Sequence, residues 1–185
     1  MKAYNSNGFI TCIKEDLKRF KYLKSNGKYL GAWTNKDWLS IFSVRFIPVF
    51  IFRMSHYLYL NNLIVFAKFF SLLNFIFFGL EISLNCVIGS GLFFAHTQGT
   101  VIGARQIGKN AIIYQGVTIG SKELNFDNDL EKRATIGDDV TIGAGSKILG
   151  GINIGNKVIV GANAVVLTSV PEGKMVAGVP AKVIR

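Results

Sequence analysis

The sequence predicts a mainly β chain, a left-handed parallel β-helix of hexapeptide repeats preceded by an α-helical N-terminal region. Three observations carry this. From Ile136 the text runs in sixes: "IGDDVT", "IGAGSK", "ILGGIN", "IGNKVI", "VGANAV", "VLTSVP", led by Ile136, Ile142, Ile148, Ile154, Val160 and Val166. The same count runs upstream through Ile82, Ile88 and Phe94, jumps seven to Val101, and resumes at Ile107, Ile113 and Ile119. Residues 1–80 show none of it. A helix would repeat its apolar residues every ~3.6 positions and a half-buried strand every ~2. One aliphatic in six, with small residues and turn formers between, fits short flat strands arranged three to a triangular coil. The aliphatics then stack inside the prism and backbone hydrogen bonds run from coil to coil.

The front part, residues 1–80, follows helical rules. "ITCIKEDLKRFKYLK" places Ile10, Ile13, Leu17 and Phe20 on one helical face, with lysines opposite. "SVRFIPVFIFRMSHYLYL" and "NLIVFAKFFSLLNFIFFGL" are far more apolar, and Pro48 starts or kinks a helix there. Arg45, Arg53, His56 and Lys68 interrupt both runs, so neither gives a clean bilayer-spanning stretch. Three readings stay open: helices packed on the β-helix and on a neighbouring subunit, a peripheral membrane-surface element with a basic flank, or a spanning segment.

Residues 81–185 form the second unit. The excursion "SKELNFDNDLEKRA", loop 121–134, interrupts its count, and a tail follows the last hexad. Regular coils are scaffold; looped-out ones usually carry function. The other break is "GLFFAHTQGTVIG" (Gly91 to Gly103), where the rhythm slips and His96, one of two histidines, sits.

Charge is divided unevenly. The chain carries +10, of which residues 1–80 hold +8, from eleven Lys/Arg against Glu15, Asp16 and Asp37. An anionic partner is expected on that side. A nucleic acid is not, because the basic residues lack a reading element and the aromatics lie in apolar helices. Cys12 and Cys86 make no disulfide framework and have no metal-ligand spacing, and the first residues lack the layout of a signal peptide. The expected location is the cytoplasm, with the inner face of the cytoplasmic membrane open to the basic front part. No phosphate-binding loop or metal cluster is visible in the text.

The hexads and the tail "VPEGKMVAGVPAKVIR" resemble those of hexapeptide acyltransferases. More narrowly, "GLEISLNCVIGSGLFFAHTQGTVIG", "GVTIG" and "IGAGSKILGGINIG" are similar to the serine O-acetyltransferase group, over roughly residues 75–185. The segment "FRMSHYLYLNNL" and the overall length resemble envelope-polysaccharide acetyltransferases of the colanic-acid type instead. The resemblance implies transfer of acetyl from acetyl-CoA to a hydroxyl, by a homotrimer with sites between subunits and no metal. It assigns the catalytic histidine to His96 in "AHTQG" and the paired carboxylate to Glu81 in "GLEI", fifteen residues earlier. It assigns the CoA groove to Gly120, Ala144 and Ala162, with Gly178 and Lys182 in the tail. Serine acetyltransferases carry an acid where this chain has Ala95, and a second histidine where it has Arg133; both help hold serine. These departures lead to the expectation of a sugar acceptor in an envelope polysaccharide, with serine O-acetylation as the alternative. Lys132 and Arg133 are candidate acceptor or phosphate ligands. A catalytically inactive β-helix scaffold is the non-enzyme alternative.

The residues also make chemical sense. A hydroxyl is a poor nucleophile at neutral pH and needs a base to take its proton as it attacks a thioester. Imidazole is largely neutral there and suits the task. A carboxylate on its other nitrogen would fix the tautomer and stabilise the imidazolium.

Overall fold

The computed structural model describes residues 6–28, 35–123 and 129–185. Residues 1–5 and 29–34 of the front part, and 124–128 of the loop 121–134, lie outside the described residues.

Three strands make each coil. β1 (Leu80–Ile82), β2 (Val87–Ile88) and β3 (Phe93–Phe94) form the first, and β4 (Thr100–Ile102), β5 (Gln106–Ile107) and β6 (Ile112–Ile113) the second. β7 (Thr118–Gly120), β8 (Thr135–Ile136) and β9 (Thr141–Ile142) form the third, with the excursion between its first two strands. β10 (Lys147–Leu149), β11 (Asn153–Ile154) and β12 (Ile159–Val160) form the fourth. β13 (Val165–Val166) and β14 (Met175–Ala177) belong to the last, and β15 (Lys182–Val183) folds back antiparallel on β14. The strands stack into three parallel faces: β1-β4-β7-β10-β13, β2-β5-β8-β11 and β3-β6-β9-β12-β14. The fold is a left-handed parallel β-helix with a helical front.

Register explains the count of six. Three ladders of inward side chains fill the prism. They run Ile82-Ile102-Ile119-Ile148-Val166, Ile88-Ile107-Ile136-Ile154 and Phe94-Ile113-Ile142-Val160-Val176. All fourteen are buried, none above 6% exposure. This corrects one position. Val101 was expected to lead its hexad, but it faces outward at 40% exposure while Ile102 takes the core at 1%. The step from Phe94 is therefore eight, followed by five to Ile107. The chain turns outward after β3, and Ile102 is the first residue whose register places it opposite Ile82 and Ile119.

The front is helical: α1 (Ser6–Lys24), a 3₁₀ segment (Asn35–Phe42), α2 (Ile47–Leu60) and α3 (Ile64–Phe78). Pro48 lies in the first turn of α2, where its missing N–H costs nothing. On α1, Ile13, Leu17 and Phe20 are buried as expected, but Ile10 is 44% exposed. No helix among the described residues is long and apolar enough to cross a membrane. The front is locked to the first coil by a buried ion pair. Arg53 donates from Nε to Asp16 Oδ2 at 2.8 Å and from Nη2 to Oδ1 at 3.1 Å. Its Nη1 and Nη2 also reach the carbonyls of Ile88 and Gly89, each at 2.6 Å. Asp16 Oδ1 in turn accepts the backbone N–H groups of Gly91 and Leu92. Phe20 packs against Phe46 and Phe93 beside this pair.

Candidate active site

His96 stands on a bulge with identifiable supports. After Phe94 enters the core, Ala95 still donates to the Ile113 carbonyl, as a regular coil would. The chain then swings out. Thr97 Oγ1 donates to the Phe78 carbonyl at 2.8 Å, and Thr100 N donates to the carbonyls of Thr97 and Gly79. Gln98 offers its carbonyl to Gly116 N at 3.0 Å. Gly79 has φ +57 and sits against the Gln98 side chain, where a Cβ would collide. The last turn of α3 therefore holds the bulge, and His96 points away from the core, exposed. Thr97, Gln98 and Gly79 were not singled out from the sequence. The signal available was the slip in the count, which located the bulge but not what braces it.

The predicted residues fall on two edges of the prism. The edge between the β3 face and the β1 face carries His96. Below it come Tyr114-Gln115-Gly116, then Ala144, then Ala162, then Gly178. Hydrogen bonds from Gly116 N to Gln98 O, Gly145 N to Gln115 O, and Asn163 N to Ala144 O stack these corners in order, and Val165 N to Gly178 O closes the series. At one strand spacing of ~4.8 Å per coil, Ala162 lies about 14 Å along the edge from His96. Ala144 is half-buried and Ala162 exposed on this edge. Lys182 lies on β15, exposed, at the end of the β3 face.

The other edge, between the β1 face and the β2 face, carries Gly120, Lys132 and Arg133. Gly120 ends β7, and no atom lies within 4 Å of the place a Cβ would take. Lys132 lines an open cavity of about 390 Å³ with Ser121, Lys122, Glu131 and Gly150. Arg133 Nη1 lies 3.3 Å from Ser83 Oγ and 3.5 Å from the Gly103 carbonyl. Glu131 pairs with Arg105 at 2.6 Å, tying the end of the excursion to the second coil.

Glu81 lies on the face between these edges. It is the outward residue of β1, exposed, in register with Val101. No hydrogen bond or ion pair joins Glu81 to His96 in the single chain. His56 is elsewhere: it is 5% exposed inside the helical front, with Nδ1 at 3.1 Å from the Leu84 carbonyl. No cluster of three metal-ligating side chains occurs among the described residues.

The comparisons with known proteins agree with this architecture. Residues 133–168 match the family model described as bacterial transferase hexapeptide (six repeats). A serine acetyltransferase of Staphylococcus epidermidis is 44% identical over 135 residues, covering 71% of this chain and 61% of that protein. The chain thus spans about three fifths of the length of that curated relative. A Neisseria gonorrhoeae serine acetyltransferase, solved in complex with serine, superposes with TM-score 0.79 at 31% identity, covering 96% of this chain and 69% of that one. A serine acetyltransferase in complex with CoA superposes with TM-score 0.81 at 28% identity, covering 97% and 71%.

These matches correct two expectations. The structural likeness extends through the helical front, beyond residues 75–185. The resemblance to envelope-polysaccharide acetyltransferases finds no support, and neither does a sugar acceptor; the relatives are serine acetyltransferases. With both the β-helix and the helical front matched over that length, the chain belongs to the serine acetyltransferase family of hexapeptide-repeat transferases.

Proposed function

We propose that this chain transfers the acetyl group of acetyl-CoA to the hydroxyl of L-serine, the activation step of cysteine synthesis, in the cytoplasm. The observation that carries the reading is the placement of His96. It is exposed on a braced bulge, at the head of an edge lined by Ala144 and Ala162. The relatives named for serine, CoA and acetyl transfer support the substrates.

The chemistry needs no covalent enzyme intermediate, because the thioester is already activated. A neutral His96 nitrogen takes the serine hydroxyl proton as the oxygen attacks the acetyl carbonyl. A tetrahedral oxyanion forms, and a backbone N–H of an adjacent coil is the donor the fold can offer it. The C–S bond then breaks, and the thiol of CoA leaves with the proton returned by the imidazolium. Glu81, the outward residue of β1, is assigned as the carboxylate that orients and stabilises His96. The pantetheine arm runs along the edge past Ala144 and Ala162 toward Gly178 and Lys182.

Gly120, Lys132 and Arg133 lie on the next edge of the same prism, so one chain does not gather all the assigned residues. A homotrimer, with the loop-bearing edge of one prism against the His96 edge of the next, unites them. Lys132 and Arg133 then face the serine carboxylate.

A thiol-release assay with acetyl-CoA and L-serine tests this, run beside light scattering for the trimer mass. Serine-dependent release is expected. Release that is no faster with serine than without it would sink the reading, and is what the inactive-scaffold alternative requires.

A further inference from the structure

Helix α3 is apolar almost all round, and much of that apolar surface faces outward. Its polar Asn74 is 3% exposed and donates from Nδ2 to the Pro48 carbonyl at 3.0 Å. Ser71 is half-buried and Ala67 fully buried. On the outer side, Val65, Phe66, Phe69, Leu72, Ile76 and Phe77 are each more than half exposed. Lys68 is the one charge on the helix. Upstream, Leu39, Phe42 and Val44 are also strongly exposed, immediately before Arg45. A continuous apolar stripe of this kind marks a surface that is covered in use.

The chemistry favours one cover. Between Trp38 and Leu80 there is no Asp or Glu, while Arg45 and Lys68 flank or sit within the apolar stretches. Residues 1–80 carry +8 against +2 for the rest. A second copy of this chain docked through α3 would set Lys68 and the same positive field against themselves. An anionic lipid surface neutralises that field and accepts the aromatic side chains below its headgroups. The fifteen residues of α3 extend about 22 Å at ~1.5 Å per residue, short of a hydrocarbon core ~30 Å thick. A helix of that length can lie in the plane of a membrane but not cross it. We propose that the outer face of α3 docks this protein on an anionic bilayer surface. The inference is independent of which hydroxyl is acetylated.

Vesicle flotation tests it with the full chain, using phosphatidylglycerol–phosphatidylcholine vesicles and phosphatidylcholine vesicles in parallel. Wild type should float with the anionic vesicles, and less so in about 0.5 M salt, where screening shortens the field to a few ångströms. Phe66→Ser with Phe69→Ser should reduce binding roughly tenfold or more, and Lys68→Glu should weaken it by a smaller factor. Both variants should keep wild-type thiol release, since neither position touches the His96 edge. Failure of wild type to float with anionic vesicles overturns the proposal. So does equal flotation of the double variant. A fall in assembly mass caused by the double variant, with no change in flotation, identifies a second copy as the cover and also overturns it.

Discussion

In the prism, Ile142 is buried by residues a few hexads away on neighbouring coils; in the front, Asp16 is buried by partners 37 and 75 positions off. The prism repeats one solution. Each coil offers an aliphatic inward and backbone bonds upward and downward, so every coil is held much like the next. The front has no such redundancy. Its attachment concentrates in one buried carboxylate, one guanidinium and a few aromatic contacts, and α3 leaves much of its apolar surface uncovered. The first is stable through many equivalent contacts. The second is stable through few and specific ones, and it is also where the chain is adapted to something outside itself. The two meet at the His96 bulge, which the last turn of α3 braces through the carbonyls of Phe78 and Gly79.

Five substitutions sharpen this contrast. The largest effect is functional. His96→Ala should lower kcat/KM for acetyl transfer by roughly 10²–10⁴, the range of a lost general base, with the circular dichroism unchanged because the side chain is exposed. An active, well-folded variant would remove His96 from the chemistry. Next, Asp16→Ala should destabilise by about 3–5 kcal/mol in urea unfolding, since it strands a buried guanidinium. A loss below ~1 kcal/mol would mean that the aromatic contacts hold the front without the ion pair. Third, Ile102→Ala should cost about 2–5 kcal/mol as a core truncation, and Val101→Ala within ~0.5 kcal/mol as a surface change. The reverse order would restore the regular count at Val101.

The smallest effect is a pH slope. Burial holds the His56 pKa below its ordinary value, the bond to the Leu84 carbonyl opposes this, and the charge of Arg53 adds to the depression. The fold therefore prefers the neutral ring. The unfolded chain binds the proton more readily, so stability is fullest above the ordinary value of ~6.5 and declines as pH falls below it. His56→Gln should flatten that acid-side decline in a Tm series from about pH 7.5 to 5. An unchanged slope would place the sensitivity elsewhere.

The hexad count by itself determined the prism, its three ladders and the two places where it breaks. It could do so because a repeat with one buried aliphatic per six leaves little freedom in register. It also marked His96 as lying at a break; Pro48 read as a helix start or a kink, and the structure places it in the first turn of α2. Only the tertiary structure decided that Ile102 rather than Val101 enters the core, because strand pairing with Ile82 and Ile119 fixes the register beyond the bulge. Only it could pair Asp16 with Arg53, turning what read as an interruption of an apolar run into the buried link between helices and coil. Likewise only the packing of α2 against α3 decided which side of α3 is covered, since a helix apolar almost all round carries no sequence signal for its inner face. Ala95 and Arg133 by themselves point to a different acceptor, whereas the relatives that share the frame around them are serine acetyltransferases.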